Sequence, residues 1–205
     1  MAQSRVFCVG RNYAAHAAEM GADTREPPFF FMKPASALVP GPEIPYPPDT
    51  QDLHHEVELV LRLGIGGNAI PTETALDHIE AYAVGIDLTK RDRQAELKAK
   101  GQPWERAKAF DASAPISPFV RAEIIGHPQR AGISLSVNGT VRQQSCISDM
   151  IWKPAEIIAH LSTIWTLQPG DVIFTGTPAG VGALHRGDRA QAEVEGIGAL
   201  EIVLT

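Results

Sequence analysis

Residues 133–144, ISLSVNGTVRQQ, alternate apolar and polar side chains on both sides of Asn138-Gly139. Period-two alternation marks a strand with one buried face, and Asn-Gly supplies the positive φ angles of a type I′ turn, so this segment is predicted to be a β-hairpin. A lone hairpin is marginal in water, so other elements must cover it. Strand-length apolar runs recur at residues 6–9, 55–63 and 81–88, and again in QPGDVIFTGTP, DRAQAEVEG and ALEIVLT near the end, separated by glycine- or proline-bearing turns. Helix is expected at residues 12–20, with Asn12 as N-cap and Gly21 as stop, at 73–80, in a polar stretch from Arg91 closed by Gly101, and at 154–164 behind Pro154. Residues 27–48 carry too much proline for helix, and 102–118 read as irregular. Strands outnumber helices and do not alternate regularly with them. A β-rich α+β fold is therefore expected, not a doubly wound parallel sheet.

With 205 residues, 44% of them hydrophobic, the chain is long enough for one core, and one domain spanning 1–205 is expected. The net charge of −6 and the lack of clustered Lys and Arg exclude a nucleic-acid footprint and point to a small-molecule partner. No leader pattern opens the sequence, and no apolar stretch approaches the roughly 20 residues of a membrane span, which predicts a cytoplasmic protein without a membrane partner. Cys8 and Cys146 are far apart and read as separate thiols. Asn138-Gly139-Thr140 matches a glycosylation sequon and Arg186-Gly187-Asp188 an adhesion tripeptide, but in such a chain both are turns.

Chemistry concentrates in HHEVELVLRL. Glu56 and Glu58 are two apart, so on a strand their carboxylates share a face while Val57, Leu59 and Leu61 fill the other. Asp87 stands in an otherwise apolar strand, where an unpaired charge is costly. Three carboxylates are a fitting oxygen donor set for a hard divalent cation, although on spacing alone a solvated sheet face explains the two glutamates as well. On the first helix Tyr13, His16 and Glu19 recur every third residue, so the imidazole and the carboxylate are neighbours. Such a pair is suited to taking a proton from water, and equally to forming a surface ion pair. Lys33, between three phenylalanines with Met32 and Pro34, is oddly placed for a cation unless its ammonium meets an anion. Arg91, Gln94 and Lys108 are candidates for receiving carboxylate or oxyanion charge. The loop TGTPAGVG, residues 175–182, offers backbone amides to an anion, yet no helix follows it, so it is not a dinucleotide fingerprint.

In order, His54 to Glu58 as H-x-E-x-E, Asp87 to Gln94 as D-x-x-x-R-D-x-Q, Lys108 before Phe110, and Gly176 to Gly182 as G-T-P-x-G-V-G resemble the fumarylacetoacetate hydrolase family, and VGRNYAAHAAEM extends the likeness toward the start. The resemblance implies a mixed β-roll of the fumarylacetoacetase C-terminal-domain type and a homodimer. It implies Glu56, Glu58 and Asp87 as ligands of Mg²⁺ or Mn²⁺, His16 and Glu19 as the water-activating dyad, and Lys108 as a polarising cation. Arg91, Gln94 and Thr177 would contact a diketo acid substrate. Lys33 and Lys90 are the expected partners of its distal carboxylate. DLTKRD stands where relatives have DxTARD, which puts Lys90 near the site.

EPPFFFMKPA, DLHHEVELV and GIDLTKRDRQAE are most similar to fumarylpyruvate hydrolases of gentisate-type aromatic degradation. The expected reaction is therefore hydrolysis of a C–C bond in an acylpyruvate, fumarylpyruvate giving fumarate and pyruvate. Oxaloacetate decarboxylase or a general acylpyruvase is the alternative within the fold, and a hydratase or isomerase generally lacks the His-x-x-Glu pair. A non-catalytic β-rich binding module is the alternative from another class.

Overall fold

The computed structural model describes residues 5–14 and 26–205. Among the described residues the largest sheet has six strands, in spatial order Val120–Arg121, Ile79–Ile86, Val57–Leu63, Val172–Phe174, Val6–Gly10 and Phe29–Lys33. Val6–Gly10 runs parallel to Val172–Phe174, and the other neighbours are antiparallel. A second sheet of five strands is built on the hairpin Gly132–Val137 and Thr140–Cys146, followed by Arg189–Val194, Gly198–Leu204 and Glu43–Ile44. These elements form a β-rich α+β architecture, with strands dominant and helices few among the described residues. No described helix is long and apolar enough to cross a membrane.

The parity of the strands decides what goes where. In Val57–Leu63 the odd positions Val57, Leu59, Leu61 and Leu63 join one core with Ile133, Leu135 and Val137 of the hairpin and Ala190, Ala192 and Ile202 beside it. Each such buried aliphatic side chain contributes about 1.5–3 kcal/mol, which anchors a strand that must also carry acidic residues. The opposite face, at Val60, meets a smaller cluster of Val6, Cys8, Ala83, Val172 and Phe174. Gly85 leaves room for it, since a Cβ there would lie 2.5 Å from the Phe174 ring and 2.7 Å from Val60.

Most of the expected elements are present. Asn138 at φ 51° and Gly139 at φ 77° make the hairpin turn. The helices Arg91–Ala99 and Pro154–Ile164 stand as expected, the second with proline in its first turn and Glu156 accepting from the Lys153 amide. Three boundaries differ. The segment expected as helix at 73–80 is a 3₁₀ helix, Thr72–His78, because its last residues are taken into the next strand. That strand ends at Ile86, which puts Asp87 just beyond it and not within it. The expected strand 55–63 is interrupted at Glu56, between Leu53–His55 and Val57–Leu63. Of the helix expected at 12–20, residues 15–20 lie outside the described residues.

Candidate active site

Four strand ends and the loops beyond them meet at one end of the six-stranded sheet. Because Val57–Leu63 and Ile79–Ile86 are antiparallel, with Val57 opposite Ile86, the start of one lies beside the end of the other, and the Asp87 amide donates to the Glu56 carbonyl at 2.8 Å. Val172–Phe174 also runs antiparallel to Val57–Leu63, so its continuation, Thr175-Gly176-Thr177, passes Glu58. Val6–Gly10 is parallel to Val172–Phe174, and its own continuation, Arg11-Asn12, therefore arrives at the same end. Asn12 fastens these loops together. Its side chain donates to the Thr175 and Trp152 carbonyls at 2.7 and 2.9 Å and accepts from the Trp152 amide at 2.7 Å.

Glu56, Glu58 and Asp87 each bring a carboxylate oxygen to within 4.8 Å of the others. They are 6%, 1% and 0% exposed, so the solvated-face explanation of the two glutamates fails. Lys108, from the short helix Glu105–Lys108, donates to Glu56 Oε2 at 2.9 Å, Asp87 Oδ2 at 2.7 Å and Thr89 Oγ1 at 2.6 Å. Burial works against its charge, but Asp87 and Glu56 outweigh that cost and hold its pKa above the ordinary lysine value. Arg91 donates to Glu56 Oε1 at 2.5 Å and to Gln94 Oε1 at 2.6 Å. Asp87 Oδ1 lies 2.8 Å from Lys33 Nζ, yet it accepts no geometrically sound hydrogen bond from any described residue.

Glu58 is different. It accepts from the Gly176 amide, 2.6 Å from Oε2. Burial, with Asp87 and Glu56 beside it, pushes its pKa well above the carboxylate range, against the pull of the Gly176 hydrogen bond and Lys108. The anion served by the TGTPAGVG loop is thus one of the chain's own. Gly176 has φ 96°, and a Cβ there would lie 2.6 Å from that of Asn12, so glycine is required for this approach. At Gly180, φ 94°, a Cβ would sit 2.1 Å from the Arg142 carbonyl oxygen.

A cleft with about 30 Å³ of room opens over the carboxylates and is lined also by Arg11, Phe31, Arg91, Gln94, Trp104, Lys108 and Thr177. These placements meet a long series of similarities. The fumarylacetoacetate (FAA) hydrolase C-terminal family matches residues 5–205. The chain belongs to the fumarylacetoacetate hydrolase family. In sequence, this family member is 46% identical over 195 residues to the oxaloacetate tautomerase YcgM of Escherichia coli, covering 94% of this chain and 89% of that protein. In structure, it matches the crystal structure of fumarylpyruvate hydrolase from Pseudomonas aeruginosa in complex with Mn²⁺ and pyruvate, with a TM-score of 0.96 and 52% identity, covering 99% of this chain and 91% of the other. A putative fumarylpyruvate hydrolase from Burkholderia cenocepacia gives a TM-score of 0.93 at 51% identity, covering 98% and 85%.

Within this family framework the expected site residues divide. Glu56, Glu58, Asp87, Lys108, Arg91, Gln94 and Thr177 gather at the cleft. His16 and Glu19 lie outside the described residues. Lys33 is corrected: it is 2% exposed, and its ammonium faces Asp87 and the carbonyls of Leu88, Lys108 and Ser113, which leaves no donor for a distal carboxylate. The anion it was expected to meet is Asp87. Lys90 is also turned away, its ammonium 4.8 Å from the centre of the Phe110 ring, with burial lowering its pKa. Thr177 lines the cleft, but its hydroxyl donates to the Val57 carbonyl at 2.8 Å and accepts from Gln143 at 2.8 Å.

Gln143 went unnoticed in the sequence because it occupies an ordinary position of the hairpin. Fully buried, it accepts from the Val57 amide at 3.1 Å, pairs with His55 at 2.9 Å and donates to the Pro178 carbonyl at 2.9 Å. It joins the second sheet to the strand bearing Glu58 and to the glycine loop. The only trace of this role in the sequence is an amide side chain on a strand whose neighbours alternate.

Proposed function

We propose that the chain is a divalent-metal hydrolase that cleaves a C–C bond in an acylpyruvate, with fumarylpyruvate, converted to fumarate and pyruvate, as the preferred substrate. The supporting observation is the carboxylate triad, within 4.8 Å, in a chain 52% identical to a fumarylpyruvate hydrolase that holds Mn²⁺ and pyruvate. The residues fit such an ion: three buried oxygen donors, an Asp87 oxygen with no hydrogen bond from any described residue, and a Glu58 carboxylate whose charge is otherwise poorly compensated. Glu56, Glu58 and Asp87 would hold Mg²⁺ or Mn²⁺. When bound, the metal supplies Lewis-acid stabilisation of negative charge developing on the pyruvyl end.

The chain's own groups do the rest. His16, oriented by Glu19, takes a proton from the water that attacks the distal acyl carbonyl, the role their motif has in the resemblance. Lys108 keeps its proton because Asp87 and Glu56 face it, and its positive charge stands beside the cleft to stabilise a developing oxyanion electrostatically. Collapse of the adduct breaks the C–C bond, and the electron pair leaves on the pyruvyl fragment as an enolate, which is then protonated to pyruvate. Arg91, Gln94 and Thr177 shape the cleft around the substrate. Residues 1–205 act as one catalytic domain, and the resemblance pairs it with a second copy.

The 46% identity to an oxaloacetate tautomerase favours a second reading, in which the same site moves a proton on oxaloacetate and no water attacks. One assay separates them. Loss of fumarylpyruvate is followed with Mn²⁺ and with chelator, beside keto–enol exchange of oxaloacetate. Metal-dependent cleavage is expected, and His16→Ala should lower it by about 10²- to 10⁴-fold, the usual worth of a positioned general base. Absence of metal-dependent turnover of any acylpyruvate overturns the hydrolase reading, while oxaloacetate exchange that is faster and survives His16→Ala favours the tautomerase.

A further inference from the structure

Among the described residues four cations stand at or beneath the cleft, and three have anions. Arg91 is matched by Glu56, Lys108 by Glu56 and Asp87, and Lys33 by Asp87. The fourth is Arg11. It lines the cleft, is half-buried, and has no hydrogen bond or ion pair with any described residue. A guanidinium kept partly out of water without an anion is costly unless something else brings the charge.

Its backbone is also unusual. Arg11 has φ 59°, a left-handed conformation that side chains disfavour and that clusters at ligand clamps. The surrounding loop enforces it. Asn12 is held by three hydrogen bonds to Trp152 and Thr175, and Gly10 lies so close under the Phe29 ring that a Cβ would come within 2.6 Å of it. The arginine is therefore presented from a fixed support.

Two aromatic rings share the cleft with it. Phe31 and Trp104 both line the cavity, with ring centres 6.2 Å apart, and Phe29 backs Trp104 at 5.0 Å. A diketo acid anchored by its pyruvyl end at the carboxylate triad presents its acyl end to what remains of the lining. Besides the neutral Gln94, Thr177, Val9 and Gly10, that remainder is a guanidinium unmatched among the described residues and an aromatic wall. We infer that Arg11, with Phe31 and Trp104, forms an acyl subsite that selects substrates whose acyl group ends in a second carboxylate. A planar conjugated acyl chain lies well against aromatic faces, and a guanidinium receives a carboxylate through two parallel hydrogen bonds. The inference rests on the acylpyruvate reading above.

The test compares fumarylpyruvate with acetylpyruvate, which lacks the second carboxylate, in the Mn²⁺-loaded parent and in Arg11→Gln. Loss of a charged hydrogen bond predicts a fall of roughly 10- to 100-fold in kcat/KM for fumarylpyruvate, carried mainly by KM. Acetylpyruvate should change by less than about twofold. Arg11→Gly, which suits the left-handed backbone, should show the same selective loss in a protein that melts no lower than the parent. Equal losses on both substrates in both variants overturn the inference, because Arg11 would then be only a loop constraint. If the parent cleaves neither acylpyruvate, the hydrolase reading fails by itself, and calorimetry of oxaloacetate and pyruvate then decides: Arg11→Gln should weaken only the dicarboxylate, and unchanged affinity for both overturns the subsite.

Discussion

Asp87→Ala should lower the melting temperature by roughly 6–20 °C, even before any metal is added. The aspartate is fully buried and lies 2.8 Å from Lys33 Nζ and 2.7 Å from Lys108 Nζ, both of them buried as well. Removing one partner of a buried ion pair leaves an uncompensated charge and costs about 3–5 kcal/mol. In a chain of this size 1 kcal/mol moves the melting point by about 2–4 °C, which gives the range above. Against a total stability of about 5–15 kcal/mol this is a large fraction, so yield in the cell should fall too. Asp87→Asn keeps the shape and a carbonyl for Lys108, and should fall between the two. A thermal melt of the metal-free proteins is sufficient, and an Asp87→Ala variant that melts within about 2 °C of the parent would show that the ion cluster is not holding the sheet end together.

Glu58→Gln should have the opposite signature: little or no loss of metal-free stability, together with loss of the response to metal. For the parent, Mn²⁺ at a hundredfold excess over its dissociation constant adds about 2.7 kcal/mol. That corresponds to a rise of about 5–10 °C in the melting temperature. The pH dependence follows from Glu58. Its pKa is raised by folding, so the folded protein holds a proton that the unfolded chain has released, and the associated stability is present below the ordinary carboxylate pKa and lost as pH rises through the raised one. Metal binding requires the ionised form, so the stabilisation by Mn²⁺ should grow as pH rises through the same window. Glutamine cannot ionise and should flatten both trends. Turnover should drop by more than the roughly 10- to 100-fold typical of a group that only supports a ligand. If Glu58→Gln keeps the full metal-induced rise, Glu58 is not a ligand.

Local signals in this sequence proved legible where one short-range rule decides the outcome. Asn138-Gly139 has few alternatives to a tight turn, and Pro154 with Glu156 opens a helix by chemistry contained within four residues. The face-sharing of Glu56 and Glu58 was likewise readable from parity. Their burial was not, because it depends on what covers the face: Lys108 and Trp104 arrive from a segment that reads as irregular, and Gly176 from more than a hundred positions away. Lys33 illustrates the limit. Its apolar surroundings correctly demand an anion, but whether that anion is a substrate or Asp87 is a question of three-dimensional neighbours. Gln143 and Arg11 carry no local anomaly at all. One is a polar residue on a strand and the other a cation in a loop, and only their partners, or the lack of them among the described residues, distinguish them.

The clamp made by Asn12 has a consequence for how the protein becomes active. Its bonds close loops of 140 and 163 residues, and the hydrogen bond from Gly176 to Glu58 closes one of 118. Contacts between such distant parts of a chain form late, since the entropy of closing the loop must be met before they return any stability. The carboxylates can therefore be assembled only after the segments carrying Asn12 and Thr175-Gly176 have docked onto the central strands. Recovery of catalysis during refolding should lag behind recovery of secondary structure, and a nascent chain that stops short of residue 175 should lack the glycine loop that completes the site. In this protein activity serves as a report on whether folding has reached its end.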